Sequence, residues 1–151
     1  MDQDKTPAHI ATGQLAAIPG VDRLEGTPYI PERKLGGGGM GQVFVGRHVE
    51  LGSKVAIKLL NAELANNQDA LERLKREARA AAQIGNPHII EIYDLGVAKD
   101  GRPYVAMRLV DGDNLKTVLD REGPFAPRRV VFLMKQICSA LSDAHARGVL
   151  H

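Results

Sequence analysis

Three features of this chain could do phosphate chemistry, and they follow one another in order. The run Leu35-Gly36-Gly37-Gly38-Gly39-Met40-Gly41-Gln42-Val43 fits the spacing G-x-G-x-x-G-x-V through Gly36, Gly38, Gly41 and Val43. Glycine tolerates positive φ and close approach, so successive backbone N–H groups can face phosphate oxygens. A plain flexible hairpin is the competing account, because four glycines in a row satisfy many patterns. Lys58 comes next, in the apolar run Val55-Ala56-Ile57-Lys58-Leu59-Leu60. Burying a cation there is costly without an anion. A polyphosphate together with a carboxylate would serve; the alternative is a lysine whose stem lies on the surface and whose ammonium stays in water. Glu77 stands 19 positions further on, beside Leu74, Ala78 and Ala81. That places it on the inward edge of a helix, where it could pair with Lys58, unless it is one more solvated charge on a highly charged helix.

The elements that would position these residues are legible. Tyr29 to Gly37 reads as a strand leading into the glycines, and Gln42 to Val49 alternates as a second strand. Val55 to Leu60 is apolar on both faces and therefore central. Asp69 to Ile84 is rich in strong helix formers and is stopped by Gly85-Asn86-Pro87. Ile89 to Val97 and Pro103 to Val110 read as two more strands, with the Asp100-Gly101 turn between them. A short helix from Asn114 to Arg121 and a long one from Pro127 to Arg147 close the chain, with Gly148 placed to end the second. The glycine run thus lies between two strands. That suits a flap over phosphates better than a dinucleotide fingerprint, which lies between a strand and a helix.

In this order and at this spacing, with the turn Asn86-Pro87-His88-Ile89-Ile90, the chain resembles the N-terminal lobe of a eukaryotic-like protein kinase. Gly39-Met40-Gly41-Gln42-Val43-Phe44 and Arg76-Glu77-Ala78 are nearest in type to the bacterial Hanks-type serine/threonine kinases. Tyr104 to Gly112 resembles the fifth strand and hinge, and Ala140 to His151 the long helix leading to the catalytic loop. The resemblance covers residues 29–151. It implies an α+β, protein-kinase-like fold: a five-stranded antiparallel sheet with one helix, then the first two helices of a helical lobe. The implied division is a disordered leader over 1–28, the small lobe over 29–110, and an incomplete start of the larger lobe over 111–151.

The resemblance also implies roles. Gly36, Gly37, Gly38, Gly39, Met40 and Gly41 would cover the phosphates of ATP. Lys58 would bind the α- and β-phosphates and pair with Glu77. Leu35, Val43 and Ala56 would sandwich the adenine, Met107 would stand beside its pocket, and the backbone at Arg108 and Leu109 would meet its edge. Asn114 falls near the ribose, although a helix N-cap explains it equally well. Arg108 departs from the family, where Glu is common. His151 matches the first residue of the His-Arg-Asp signature and is the last residue here. The catalytic Asp and the Mg²⁺ ligands therefore have no counterpart among these residues. The expectation is a fragment of an ATP- and Mg²⁺-dependent serine/threonine kinase that is inactive by itself. Its partners would be ATP and, in the full-length form, a protein substrate. The other class of reading is a non-catalytic, kinase-like module that binds a nucleotide or a regulatory partner.

Composition sets the outer bounds. The 151 residues carry a net charge of +2, too little to point to nucleic acid. Residues 1–28 hold two basic and four acidic side chains, so the remainder is the basic part. The single cysteine, Cys138, excludes an intramolecular disulfide framework and a multi-cysteine zinc site. No stretch approaches the ~20 apolar residues of a membrane helix, which points to a cytoplasmic chain. The stripe Val130, Met134, Ile137 and Leu141 is expected to be an exposed apolar face wherever the rest of a larger lobe does not cover it.

Overall fold

The structure is a computed structural model and describes residues 24–38, 41–65 and 67–149. Strands β1 (Tyr29–Gly38), β2 (Gly41–His48) and β3 (Lys54–Leu60) form a meander. Helices α1 (Ala62–Ala65) and α2 (Gln68–Ala82) follow, then β4 (Ile92–Val97), β5 (Pro103–Arg108), α3 (Leu115–Glu122) and α4 (Pro127–Ala146). The five strands make one antiparallel sheet in the order β1-β2-β3-β5-β4. This is the expected α+β, kinase-like arrangement, with one added turn of helix, α1, ahead of the long one.

The alternation of β3 explains the core. Val55, Ile57 and Leu59 face one side and pack with Leu24, Tyr29, Phe44, Ala98, Tyr104 and Ala106. Ala56 and Leu60, on the other side, are also buried, as a central strand requires. Gly41 opens β2 at φ +143°, where a Cβ would stand 2.3 Å from the Leu59 carbonyl oxygen. No other residue fits there.

Among the boundaries that differ from the sequence reading, three have a visible physical cause. Leu24 to Pro28 are not part of a loose leader: Leu24 is in the core, the Thr27 hydroxyl donates to its carbonyl at 2.8 Å, and the Lys99 amide donates to the Glu25 carbonyl at 2.8 Å. Residues 1–23 of the expected leader lie outside the described residues. Strand β4 begins at Ile92 rather than Ile89, because the Ile89 amide donates to the Asn86 carbonyl at 3.0 Å and closes a turn. Strand β5 ends at Arg108, where the Arg108 amide donates to the Glu91 carbonyl at 2.9 Å.

Helix α3 is capped by Asn114, whose side-chain oxygen accepts from the Thr117 amide at 2.9 Å. Helix α4 starts with Pro127 in its first turn, and Ala126 gives it no side-chain cap. It ends in a Schellman motif. Gly148, at φ +73°, donates to the His145 carbonyl, and Val149 donates to that of Ala144. Only Ala144 of α4 is buried, and Val130, Met134, Ile137 and Leu141 are exposed. Among the described residues no helix is long and apolar enough to cross a membrane.

Candidate functional site

Strand register builds the site. Val43 on β2, Lys58 on β3 and Val105 on β5 stand side by side, and Val45, Ala56 and Met107 form the next row. Directly paired residues project to the same face of a sheet. One face therefore presents the half-buried Lys58 on an apolar floor that includes Val43, Ala56 and Met107. Leu35 is the extra residue where the β1–β2 register shifts between Lys34 and Gly36. It is exposed at the margin, as a bulge that re-aims a side chain allows.

The glycines divide into two kinds. A Cβ on Gly36 or Gly38 would meet nothing within 4 Å, and on Gly37 it would touch the Gly41 carbonyl at 3.3 Å. Gly41, by contrast, is demanded by the fold itself. Gly39 and Met40 lie outside the described residues, as does His151.

The expected ion pair is not formed. Glu77 is exposed, and the ion pairs among the described residues include neither Lys58 nor Glu77. The reason lies in helical phase. The buried side of α2 centres on Ala78, and one residue earlier the helix has turned by ~100°. Glu77 instead lines a cavity of about 430 Å³ with Arg73, Arg76, Ala80, Arg147, Gly148 and Val149. Ala81, its neighbour one turn on, is half-buried.

At the far end of the face, the Arg108 amide is already used by Glu91. A contact from Arg108 to a ligand would have to come from its carbonyl, and donors would have to come from Leu109 and Val110, where the chain leaves the sheet. Val110 was not among the sequence candidates, since nothing in its type distinguishes it from any apolar linker residue. The Asn114 oxygen also accepts from the Thr117 hydroxyl at 3.1 Å, so its capping role is occupied and a ribose contact would fall to the amide nitrogen. Among the described residues there is no group of three or more His, Cys, Asp or Glu that could hold a metal ion.

Two polar networks were not anticipated. The Tyr104 hydroxyl donates to Asp94 Oδ2 at 2.8 Å, and the Tyr29 ring packs edge-on against Tyr104. Burial, with the Asp94 carboxylate and its hydrogen bond, pushes both phenols up, Tyr29 to about 12. Asn86 is 9% exposed and donates from Nδ2 to Ser139 Oγ at 3.1 Å and to Asp143 Oδ2 at 2.6 Å, while its Oδ1 accepts from the His88 amide at 2.9 Å. Its type and its place between Gly85 and Pro87 suggested only a turn; partners 53 and 57 residues away leave no local signal.

Residues 29–151 match the family model described as the protein kinase domain. Over 124 residues the chain is 46% identical to the serine/threonine-protein kinase PknH of Mycobacterium bovis, covering 82% of this chain and 21% of that protein. It is 42% identical to the serine/threonine-protein kinase pkn3 of Myxococcus xanthus over 123 residues, covering 82% of this chain and 22% of that protein. The solved PknI kinase domain of Mycobacterium tuberculosis superposes with a TM-score of 0.70 at 33% identity, covering 90% of this chain and 55% of that one. The chain thus spans about a fifth of the length of these curated relatives and about half of the solved kinase domain. With the register, the glycine turn and the lysine strand in place, this chain belongs to the protein kinase domain family.

Proposed function

We propose that these residues form the nucleotide-binding half of a serine/threonine protein kinase, a domain that transfers the terminal phosphoryl group of ATP to protein Ser or Thr hydroxyls. The observation that carries this reading is the row Val43–Lys58–Val105 beside Ala56 and Met107, at the foot of a turn whose Gly36 and Gly38 face open space. Lys58 has apolar neighbours on both paired strands, so an anion placed there is attracted by a charge that water screens poorly. Val43, Ala56 and Leu35 offer apolar surface for a flat base, and the carbonyl of Arg108 with the amides of Leu109 and Val110 offers a polar edge for it. Backbone N–H groups of the turn would hold the phosphates.

Bound Mg²⁺ would neutralise charge on the phosphates. The described residues provide no cluster for it, so no step is assigned to a metal on this chain. Glu77 pairs with Lys58 only if α2 turns or moves inward, and the pair is proposed for the nucleotide-bound state.

A titration with a fluorescent ATP analogue tests the reading. Saturable binding is expected, displaced by ATP and lost in Lys58→Ala, while Lys58→Ala keeps the fold. Equal binding by Lys58→Ala and the parent chain would overturn it. The chain is expected not to phosphorylate protein by itself; sustained Mg²⁺-dependent transfer by the purified chain would refute that part alone.

A further inference from the structure

Helix α4 carries an aromatic side chain on the side where its periodicity asks for polar ones. Its apolar stripe is Val130, Met134, Ile137 and Leu141. Phe132 is two residues from both Val130 and Met134, about half a turn of the helix from each. At 64% exposure it is the most exposed aromatic ring among the described residues. Its neighbours one turn away are mostly cations. Arg128 and Arg129 stand four and three residues before it, and Lys135 and Gln136 three and four residues after it. Side chains at these spacings flank one another on a helix surface, about 5–6 Å apart at Cβ. Arg129 is engaged: it donates to Glu122 at 2.6 Å and lies over the Phe125 ring at 4.2 Å. Arg128 and Lys135 are exposed, and their side chains make no ion pair or hydrogen bond among the described residues.

The fold does not account for these charges. Residues 127–142 contain Arg128, Arg129 and Lys135 and no acidic residue. A cation in the first turn of a helix opposes the helix dipole, so Arg128 costs stability there rather than adding it. A single exposed apolar residue needs no explanation. A ring with an unpaired cation on either side is different, because aromatic residues and Arg carry most of the energy at interface centres. We infer that this flank of α4 docks an acidic segment of a partner protein, one with an aromatic or aliphatic side chain between two carboxylates. In an extended segment, residues two apart share a face at about 6.5 Å. The pattern acid–x–apolar–x–acid therefore brings its carboxylates to Arg128 and Lys135 when its central side chain meets Phe132. One ring among polar neighbours gives too narrow an apolar face for a lipid surface.

The peptide acetyl-Gly-Glu-Ser-Phe-Ser-Glu-Gly-amide, titrated into the intact, isotope-labelled chain and followed by NMR, tests this. Saturable shifts are expected over residues 128–136, weakening as salt is added. Phe132→Ser should weaken binding by about tenfold or more, as at other interface centres. Arg128→Glu/Lys135→Glu should lose the acidic peptide and gain acetyl-Gly-Lys-Ser-Phe-Ser-Lys-Gly-amide, which the parent chain should not bind. A merely structural role would not exchange the two peptides. These are surface positions, and Glu suits a first helical turn, so the variants should fold. If the charge-reversed chain does not fold, Arg128→Gln/Lys135→Gln takes its place and should lose the acidic peptide. No saturable shift in the parent chain, shifts centred elsewhere, or undiminished binding by Phe132→Ser or the charge variants overturns the inference. So does sedimentation with vesicles of equimolar phosphatidylglycerol and phosphatidylcholine that Phe132→Ser abolishes while the peptide produces no shift, which assigns the patch to lipid. None of these side chains lies on the Lys58 face, so failure here leaves the nucleotide reading untouched.

Discussion

The sheet buries its apolar residues and the α3–α4 segment leaves its own in view. Phe44 and Ile57 are 0% exposed, whereas Phe132 on α4 is 64% exposed. Both regions are patterned as strongly as their periods require, so patterning does not separate them. What separates them is whether the opposing surface is supplied. In the sheet, strand partners, the segment 24–28 and the residues after β4 close over one core. On α4, Ala144 alone is buried, and the stripe from Val130 to Leu141 stays open within this chain. An element can thus be fully specified in secondary structure and still lack the contacts that make it stable.

The strongest way to break this contrast is a matched pair of truncations. Phe44→Ala should cost about 3–5 kcal/mol, as for other buried aromatic deletions. Phe132→Ala should fall within about 0.5 kcal/mol of the parent, as for surface positions. Urea denaturation followed by circular dichroism reads both, and a comparable loss from Phe132→Ala would mean that α4 has a covered face after all.

A second pair lies inside the glycine turn. Gly41→Ala would drive its Cβ into the Leu59 carbonyl from a positive-φ position, and should lose roughly 1–3 kcal/mol or more in the same assay. Gly38→Ala meets nothing and should keep stability while weakening binding of the ATP analogue. Stability and binding falling together in both variants would erase the division between a glycine required by the fold and one open to a ligand.

Helix capping sharpens the comparison within the α3–α4 segment itself. Asn114→Ala should lose about 1 kcal/mol, and Ala126→Ser should gain up to about that amount, because Ala126 already has the extended backbone of a cap without the side-chain acceptor. Melting temperatures moving in opposite directions would confirm both.

The last effect appears only at alkaline pH and belongs to the sheet. Tyr29 titrates near 10 when unfolded and near 12 when folded. The folded state therefore keeps a proton that the unfolded state has lost. The contribution of Tyr29 to stability is fully present below pH 10 and declines as pH rises toward 12. Asp94→Asn removes the charge that contributes to the shift and should shrink this decline; an unchanged alkaline slope would show that burial alone sets it.

Much of this protein was written locally. The strand meander, the glycine turn and Lys58 on a central strand follow from alternation and from residue type, because a strand's two faces are fixed by its period of two. So do the start of α4 at Pro127 and its end at Gly148, since capping chemistry acts within one turn. Residue types also named the family, and the row Val43–Lys58–Val105 followed once the strands paired in register. Tertiary structure decided the remainder. The roll of α2 about its axis carried Glu77 away from Lys58, and a stripe read from sequence cannot fix that angle to better than a residue's turn. Leu24 entered the core from a segment with no periodicity of its own. Asn86 found Ser139 and Asp143 across more than fifty residues. A sequence records what each side chain can donate, accept or bury; only packing brings distant groups within the ~3 Å at which a hydrogen bond forms.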